Sequence, residues 1–438
     1  MKPRQAWLLV GMLTFAYAVS FLDRTVLALL LQPIKQHYQL SDTQLGLLSG
    51  FGFVVFYLVL GLPIGRLVDR RDRRLIVAVG AVTWSIMTAA CGLAPSFATL
   101  LLARLGVGAG ESTVGPASFS MIGDAMPSGQ QARALTVYSM GIAVGSALAL
   151  IAGGWLIGAL REVSGSWTLP GGIHLEPWQW VFLLASIPGF LAAAGILLVR
   201  EPPRRERKVA FPSDSRSALD GVPAVIAYMR GQWQAFAAII GGMSLLLLVG
   251  FGVGSWIPAF LIRVHGAPVA RVGIIYGLIS VVSGLLGAAA AGQIGSVLER
   301  RGRKDAALLT LLIALTGMLV FSPFTLAPTL DSAFAVLAVF MFFNGMPYGL
   351  GAAALNQITP ARMRGTMSAL FHLCINLVGV GMGPLLVGLL GDRVFVAADG
   401  LRLAMLSVAL AGLPVLIAWL WAMRGRFAEA RRAAEQLD

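Results

Sequence analysis

The chain has 438 residues, of which 57% are apolar and only 12% are charged, and its formal net charge is +13 at pH 7. Since roughly 25% of the residues in an ordinary soluble domain are charged, this composition excludes a water-soluble fold, which could not bury so much apolar surface. The positive charge is confined to turns between apolar runs, which is typical of membrane topology and argues against a nucleic-acid-binding protein.

Apolar stretches long enough to span a bilayer occur twelve times along the chain, since about 20 helical residues cross the hydrocarbon core. They are residues 7–31, 44–64, 75–94, 98–125, 131–160, 179–199, 234–262, 270–296, 306–327, 332–358, 365–391 and 401–423. The first stretch begins like a signal peptide, with a cleavage-like Ala16-Tyr17-Ala18, but it continues to Leu31, so we expect it to remain as a span. The sequence therefore predicts an all-α membrane protein with twelve transmembrane helices.

An internal repeat organises these spans. A ten-residue pattern at 65–74 recurs at 295–304, and each copy is a short basic turn between two apolar stretches. A repeat of about half the chain predicts two six-helix bundles, residues 1–199 and 231–438, the second with a basic tail. The polar, proline-bearing segment 200–230 between them is expected to be a cytoplasmic linker.

The distribution of Lys and Arg predicts the orientation in the membrane. With both termini in the cytoplasm, that side holds both basic turns, the linker and the C-terminal tail, and so most of the 33 basic residues. Only six lie on the outer side, and Arg24 and Arg104 fall within spans. An excess of this size predicts an integral multi-pass protein of the cell membrane, the inner membrane in bacteria, with cytoplasmic termini.

The two basic turns resemble the signature of the major facilitator superfamily, and the resemblance extends over essentially the whole chain. One departure is Asp72, which stands where the signature usually has the glycine that Gly302 retains. The resemblance implies the two-bundle fold, no enzymatic activity, and a latch in which charged turn residues join neighbouring helix ends as the bundles rock. These residues are Asp69, Arg70, Arg73, Arg74, Glu299, Arg300 and Arg303. The alternative is that they only set topology.

Charged residues within the spans mark the candidate site, because intramembrane charge is costly and usually functional. At about 1.5 Å of rise per residue, Asp23 on span one and Arg104 on span four reach similar depths in the outer half of the bilayer. Glu111 follows Arg104 by two helical turns on nearly the same face, about 10 Å deeper. The sequence thus predicts a ladder of Asp23, Arg104 and Glu111.

Two interpretations of this ladder are open. In one, Arg104 only neutralises two carboxylates and holds the helices together. In the other, Asp23 and Glu111 exchange protons, and Arg104 binds an anionic substrate group when a carboxylate is protonated. Arg24 lies about 100° from Asp23 on the helix, so it is expected to pair with a neighbouring helix or the lipid interface.

The second half has no charged residue well inside a span. Its aromatic and neutral polar residues form either a cavity wall suited to an amphiphile or ordinary packing. The candidates for cavity lining are Trp256, Phe342, Phe343, Tyr348, Phe371, His372, Asn344 and Asn376. On span eleven, the glycines from Gly379 to Gly383 and Pro384 suggest helix packing or a bend.

The first 130 residues narrow the resemblance. Phe21 to Arg24, Trp84-Ser85, and the run from Arg104 to Ser112, followed by Pro116 and by Ile122 to Asp124, are similar to the spinster branch of the superfamily. Spinster proteins export lysophospholipids or sphingosine phosphate, so the resemblance implies a headgroup and proton site at Asp23, Arg104 and Glu111.

The predicted function is alternating-access, proton-linked transport of a lysophospholipid or sphingosine-phosphate-like amphiphilic anion. The alternatives are a small organic anion/proton symporter and a multidrug/proton antiporter. The expected partners are the substrate, protons and membrane lipids, and the protein is expected to be a monomer without nucleic acid. Since no nucleophile triad, metal cluster or phosphate loop occurs in the sequence, neither enzyme activity nor a cofactor or metal is expected. Cys91 and Cys374 lie in apolar runs and predict no disulfide.

Overall fold

The computed structural model describes residues 1–162, 168–169, 173–204, 225–303, 305–348, 350–360, 363–397 and 399–435. Helices dominate the part of the chain before the linker. They are α1 (Pro3–Tyr38), α2 (Asp42–Ser49), α3 (Phe51–Arg70), α4 (Arg73–Gly92), α5 (Phe97–Glu111), α6 (Val114–Ala125), α7 (Ser128–Glu162) and α8 (Pro177–Leu198). Two short antiparallel strands, β1 (Thr168–Leu169) and β2 (Ile173–His174), lie between α7 and α8.

The part after the linker is also helical. Its α-helices are α9 (Trp233–Phe236), α10 (Gly242–His265), α11 (Val269–Arg300), α12 (Ala306–Phe321), α13 (Leu330–Gly345), α14 (Leu350–Gln357), α15 (Arg364–Cys374), α16 (Gly383–Arg393) and α17 (Gly400–Glu435). Segments of π-helix cover Ala237–Gly241 and Ile375–Met382, and 3₁₀ turns cover Ser322–Leu326 and Met346–Tyr348. The glycine-rich part of span eleven is therefore a local departure from α-helical geometry.

Eleven helical stretches among the described residues are long and apolar enough to cross a membrane. The predicted fourth span, 98–125, corresponds to α5 and α6, which are separate because the regular helix is interrupted at Ser112 and Thr113. Each of the two pieces is too short to be a span alone, whereas together they have the length that the sequence predicts. The prediction of an all-α membrane protein is confirmed, with the fourth span built from two pieces.

Contacts between Cα atoms divide the chain into two units. The first contains Met1–Glu206 and Ser255–Val281, and the second contains Arg207–Gly254 and Val282–Asp438. The segment Ser255–Val281, which holds the end of α10 and the start of α11, thus belongs to the first unit by its contacts. The boundaries of the two predicted bundles stay a prediction.

Within the first unit, glycines let α5 approach its neighbours closely. A Cβ at Gly110 would lie 2.7 Å from the carbonyl oxygen of Gly80 on α4, and one at Gly108 would meet the backbone of Phe53 on α3. Small residues at such crossings allow backbones to touch where larger side chains would hold them apart. The backbone that carries Arg104 and Glu111 is therefore held tightly between α3 and α4.

Candidate functional site

The charged residues of the predicted ladder lie in the interior of the first unit. Asp23 has none of its surface exposed, and Arg104 and Glu111 are each 1% exposed. Asp23 comes from α1, whereas Arg104 and Glu111 come from α5. Ionised groups so far from water are stable only with close partners, so the hydrogen bonds of each group decide what the site can do.

Asp23 and Arg104 meet through the main chain. The Nη1 of Arg104 donates a hydrogen bond of 3.2 Å to the backbone oxygen of Asp23, and the Oγ1 of Thr88 donates one of 3.1 Å to the Oδ2 of Asp23. The Oδ1 of Asp23 and the Nε of Arg104 have no hydrogen-bond partner among the described residues. The guanidinium of Arg104 therefore retains a donor, and the Asp23 carboxyl group retains an oxygen that can bind a proton.

Arg24, not Arg104, is the direct partner of Glu111. The Nε of Arg24 lies 2.5 Å from the Oε2 of Glu111, and the Glu111 side chain is fully buried. Such a charge-assisted hydrogen bond is among the stronger side-chain contacts in proteins. The prediction that Arg24 pairs with a neighbouring helix agrees with this geometry, but its pairing with the site's own carboxylate was not foreseen.

Aromatic rings hold the guanidinium of Arg24. Its Cζ lies 4.8, 4.1 and 5.0 Å from the ring centroids of Phe21, Phe53 and Tyr57. Each ring face attracts a cation, and Phe21 lies three residues before Arg24, on the same face of α1. The i, i+3 spacing of Phe21 and Arg24 is therefore the signal in the sequence that could have placed Arg24 in the site.

The helix interruption follows Glu111 directly. Glu111 is the last residue of α5, and the N–H of Ser112 donates to the carbonyl oxygens of Gly108 and Gly110. Carbonyl groups at a helix C-terminus carry partial negative charge, which disfavours a carboxylate there. The cation of Arg24 offsets this effect through its contact with Glu111.

The aromatic and neutral polar candidates are spread over both units. Trp256 is fully buried in the first unit. In the second unit, Phe342 and Phe343 are partly buried against the cluster of Ala291, Ala314 and Met346, as packing residues would be.

The remaining candidates belong to the second unit. Phe371 is 3% exposed, Asn344 and Asn376 are partly buried, and His372 is exposed with its Nδ1 2.8 Å from the backbone oxygen of Ser368. The side chain of Tyr348 lies outside the described residues. A shared cavity wall therefore remains a prediction for this set.

The first basic turn contains a buried ion-pair cluster. Arg73 is fully buried, with its Nη1 2.5 Å from the Oδ2 of Asp124 and its Nε 2.8 Å from the Oε1 of Glu201. Arg204 donates to the main-chain oxygens of Val68, Asp69 and Arg71 at the end of α3. The turn is thus joined to α6 and to the start of the linker, while the Asp69 and Arg70 side chains are exposed, and the latch stays a prediction.

Asp72 replaces the signature glycine in the first turn and caps α4. Its Oδ1 accepts hydrogen bonds from the N–H groups of Arg74 and Leu75. The side-chain hydrogen bond from Arg74 holds the pKa of Asp72 well below its ordinary value. The departure from the signature therefore supplies side-chain hydrogen bonds to the helix N-terminus that glycine cannot make.

The side chains of the second basic turn are more exposed to solvent than those of the first. Glu299, Arg300 and Arg303 are exposed, and Arg303 lies 3.0 Å from the Oδ1 of Asp305. Arg424 on α17 contacts the Oδ2 of Asp305 at 2.5 Å. Burial raises the pKa of Asp305, but the hydrogen bonds from Arg303 and Arg424 outweigh it, so that the pKa is below its ordinary value.

A bundle of apolar membrane helices with a buried, charged site in one unit is the construction of a secondary transporter. Residues 13–384 match the family model described as Major Facilitator Superfamily. The chain belongs to the major facilitator superfamily, whose members transport small molecules by alternating access.

Curated relatives connect the chain to the spinster branch. It is 28% identical over 426 residues to protein spinster homolog 1 of Homo sapiens, covering 90% of this chain and 74% of that protein. It is also 28% identical over 441 residues to an MFS-type efflux pump of Mycolicibacterium smegmatis, covering 97% of this chain and 94% of the pump. A sphingosine-1-phosphate transporter of Danio rerio is 25% identical over 415 residues, covering 90% of this chain and 77% of that protein.

Solved structures agree with this placement. A crystal structure of a bacterial homolog to the human lysosomal transporter Spinster, in an inward-facing and unoccupied conformation, superposes with a TM-score of 0.79 at 27% identity. The match covers 100% of this chain and 98% of that one. The predicted resemblance to the spinster branch is thereby confirmed.

Proposed function

We propose that the protein carries out proton-linked transport of a lysophospholipid or sphingosine-phosphate-like amphiphilic anion. The observation that carries this proposal is the buried Arg24–Glu111 ion pair beside Asp23 and Arg104. Relatives named as spinster homologs and as a sphingosine-1-phosphate transporter support the substrate class.

The proposed coupling follows from the contacts of Arg24. While Glu111 is ionised, its carboxylate holds the guanidinium of Arg24. When Glu111 takes up a proton, the ion pair becomes a weaker hydrogen bond, and Arg24 is free to bind an anionic headgroup. Arg104 holds the headgroup from the other side with its unpartnered donor, and Asp23 serves as a second proton acceptor. Proton uptake and anion binding then favour each other.

The proposal includes the position of the protein in the cell. Both termini lie in the cytoplasm, and the protein is a monomer in the cell membrane, the inner membrane in bacteria. The strong excess of basic residues in the turns supports this orientation. Thiol labelling from outside intact cells, with single cysteines introduced at Arg426 and at Arg402, should modify only the latter.

Two alternative functions would use the same candidate site. A small organic anion/proton symporter would use the two arginines in the same way, without a need for an apolar wall. A multidrug/proton antiporter would attract a cation with Glu111, and the similarity to an efflux pump supports this alternative.

Transport by the purified protein in vesicles tests the proposal. Uptake of a lysophospholipid, a small organic acid and a lipophilic cation is measured with and without a pH gradient. We expect uptake of the lysophospholipid to depend on the gradient and to fall at least about tenfold in Glu111→Gln and Arg104→Ala, since a charge-assisted contact contributes about 1.5–3 kcal/mol. Glu429→Gln, at an exposed position on α17, is the matched control and should transport normally.

A different experimental result would reject each part of the proposal. Lysophospholipid uptake that is unchanged in both site variants rejects the site. Uptake that is insensitive to the pH gradient rejects proton coupling, and transport of cations alone favours the antiporter.

A further inference from the structure

A column of aromatic rings leads from Arg24 along α1 to α7 and α6. The ring of Phe21, which faces the guanidinium of Arg24, contacts Tyr17 edge to face, with 5.1 Å between the ring centroids. Tyr17 stacks on Tyr138 of α7, with the centroids 4.4 Å apart and the ring planes at 10°. Tyr138 contacts Phe119 of α6 edge to face at 5.6 Å. We call Phe21, Tyr17, Tyr138 and Phe119 the ring column.

Residue spacing along α1 forms one end of the ring column. Tyr17 and Phe21 are four residues apart, and Phe21 and Arg24 are three apart, so the three side chains share one face of the helix. Stacked and edge-to-face pairs are favourable ring geometries that restrict both partners. The ring of Phe21 is therefore supported from behind by Tyr17, and Tyr17 is supported in turn by Tyr138.

Tyr138 can support the column because its own position is fixed. Its side chain is buried, with 1% of its surface exposed. One turn further along α7, a Cβ at Gly141 would lie 2.9 Å from the carbonyl oxygen of Thr14, so the backbones of α1 and α7 touch there. The Oγ1 of Thr25 also donates a hydrogen bond of 3.1 Å to the Oγ of Ser146. Such close packing leaves α1 and α7 little room to slide past each other.

The ring column also bridges the interruption of the fourth span. Glu111 is the last residue of α5, whereas Phe119 lies in α6, beyond the interruption. Arg24 pairs with Glu111 on one side, and the column connects Arg24 to Phe119 on the other. The two pieces of the span are thus joined through α1 and α7 as well as through the main chain. Arg24 is the residue at which the column meets the charged site.

We propose that Tyr138 is a positioning residue for the guanidinium of Arg24. Acting through the other rings of the column, it keeps the guanidinium in place when protonation of Glu111 weakens the ion pair. The attraction between a cation and a ring face does not require an ionised carboxylate, so these contacts persist after protonation. A guanidinium that is already ordered binds an anion with a smaller loss of conformational entropy. The effect of Tyr138 on substrate binding rests on the proposed function, whereas its effect on the position of Arg24 does not.

Chemical modification of the full-length protein tests the position of Arg24 without any substrate. Phenylglyoxal reacts with arginine side chains, and mass spectrometry of the digested protein gives the rate at each arginine. The Arg24 side chain is 22% exposed, which leaves it open to the reagent. Tyr138→Leu and Tyr17→Leu each remove one ring, and Tyr138→Phe keeps the ring without the hydroxyl group. Trp155→Leu is the matched control, because Trp155 is an exposed aromatic residue on the same helix.

We expect Arg24 to react at least about fivefold faster in both leucine variants, because a lost ring contact allows the guanidinium to move away from the remaining rings. Tyr138→Phe and Trp155→Leu should react at the native rate. Arg73 is fully buried in the first basic turn, so its rate reports general opening of the fold and should not change in any variant.

Uptake by vesicles tests the consequence for the substrate. In Tyr138→Leu, the lysophospholipid concentration that half-saturates uptake should rise at least about fivefold, while the maximal rate stays within about twofold of the native rate. Tyr138→Phe should restore the native half-saturating concentration. A lower maximal rate with unchanged half-saturation would contradict a role in binding.

Other results overturn the positioning role. An unchanged rate at Arg24 in the leucine variants would show that the column does not hold the guanidinium. Equal increases in Tyr138→Leu and Tyr138→Phe would assign the effect to the hydroxyl group, and a faster reaction at Arg73 would show general destabilisation. If Tyr138→Leu does not fold, Tyr138→Met fills more of the volume without a ring and should show the same faster reaction. A native protein that carries no lysophospholipid would reject the proposed function, while the modification rate would still decide the role of Tyr138.

Discussion

The two basic turns share a sequence pattern but differ in structure. In the first, Arg73 is buried between Asp124 and Glu201, which come from α6 and from the start of the linker. In the second, the corresponding Arg303 is exposed and contacts Asp305 in its own turn. A repeated motif therefore specifies the turn, while the carboxylates around it decide whether its arginine is a buried cross-link or a surface charge.

The two basic turns have different residues, Asp72 and Gly302, at the position where the signature has glycine, and local backbone geometry explains the difference. Gly302 has a φ of 75°, and the N–H groups of Gly302 and Arg303 bond back to Glu299 and Leu298, which ends α11 in a Schellman motif. Asp72 has a φ of −59° and starts α4 instead. At this position the second turn therefore ends α11, whereas the first turn begins α4.

The largest effect that separates the turns is expected from removing their arginines. Arg73→Gln removes the guanidinium that joins the carboxylates of Asp124 and Glu201 and should lower the free energy of unfolding by about 3 kcal/mol. Arg303→Gln should cause no measurable loss, because an exposed ion pair contributes little. Thermal unfolding in detergent, followed by intrinsic fluorescence, measures both. Equal losses would show that burial does not distinguish the two turns.

Exchanging the residues at the glycine position should have a smaller effect. Gly302→Asp places a side chain in the left-handed region and should cost about 1 kcal/mol. Asp72→Gly removes a side-chain cap but keeps an acceptable N-cap residue, so it should cost only a few tenths of a kcal/mol. Chemical denaturation of the two variants, with Gly123→Ala as a control in an uncrowded helix position, gives the order. The reverse order would contradict the assignment of helix end and helix start.

The smallest effect is a dependence on pH at the second turn. Because the pKa of Asp305 is below its ordinary value of 3.8, its ion pairs stabilise the fold fully above that pH. This stabilisation is lost as the pH falls through the lowered pKa of the folded state. Asp305→Asn should therefore be less stable than the native protein at pH 7, and the difference should shrink on acidification. A difference that is constant from pH 7 to pH 3 would contradict this account.

A substitution at Thr88, which carries no charge, tests the role of the Asp23 carboxyl group in transport. Thr88→Val keeps the shape of the side chain but removes the only hydrogen bond that the described residues donate to the Asp23 carboxylate. The pH profile of transport should differ between Thr88→Val and the native protein, because the Asp23 carboxyl group loses a hydrogen-bond donor. Thr88→Ser keeps the hydroxyl group and should restore the native profile. An identical profile for Thr88→Val would show that Thr88 does not act on Asp23.

Much of the architecture could be predicted because it depends on properties of single segments. Hydropathy and length give the spans, and the depth argument places Asp23 near Arg104, which the hydrogen bond between them matches. The interruption of the helix after Glu111 was not predicted. The mean hydropathy of a segment does not show that two of its residues leave the helical conformation. The pairing of Arg24 was missed because depth along a helix does not specify how two helices are rotated toward each other.

The amino-acid sequence by itself determines the number and length of the spans, the repeated turns and the few charges that must be compensated within the bilayer. Which charge compensates which was decided only by tertiary structure. Arg24 on α1 pairs with Glu111 on α5, 87 residues further along the chain, and Arg263 pairs with Asp42 across 221 residues. Hydrophobicity is a sum over a segment, whereas an ion pair depends on a few ångströms between side chains from different helices.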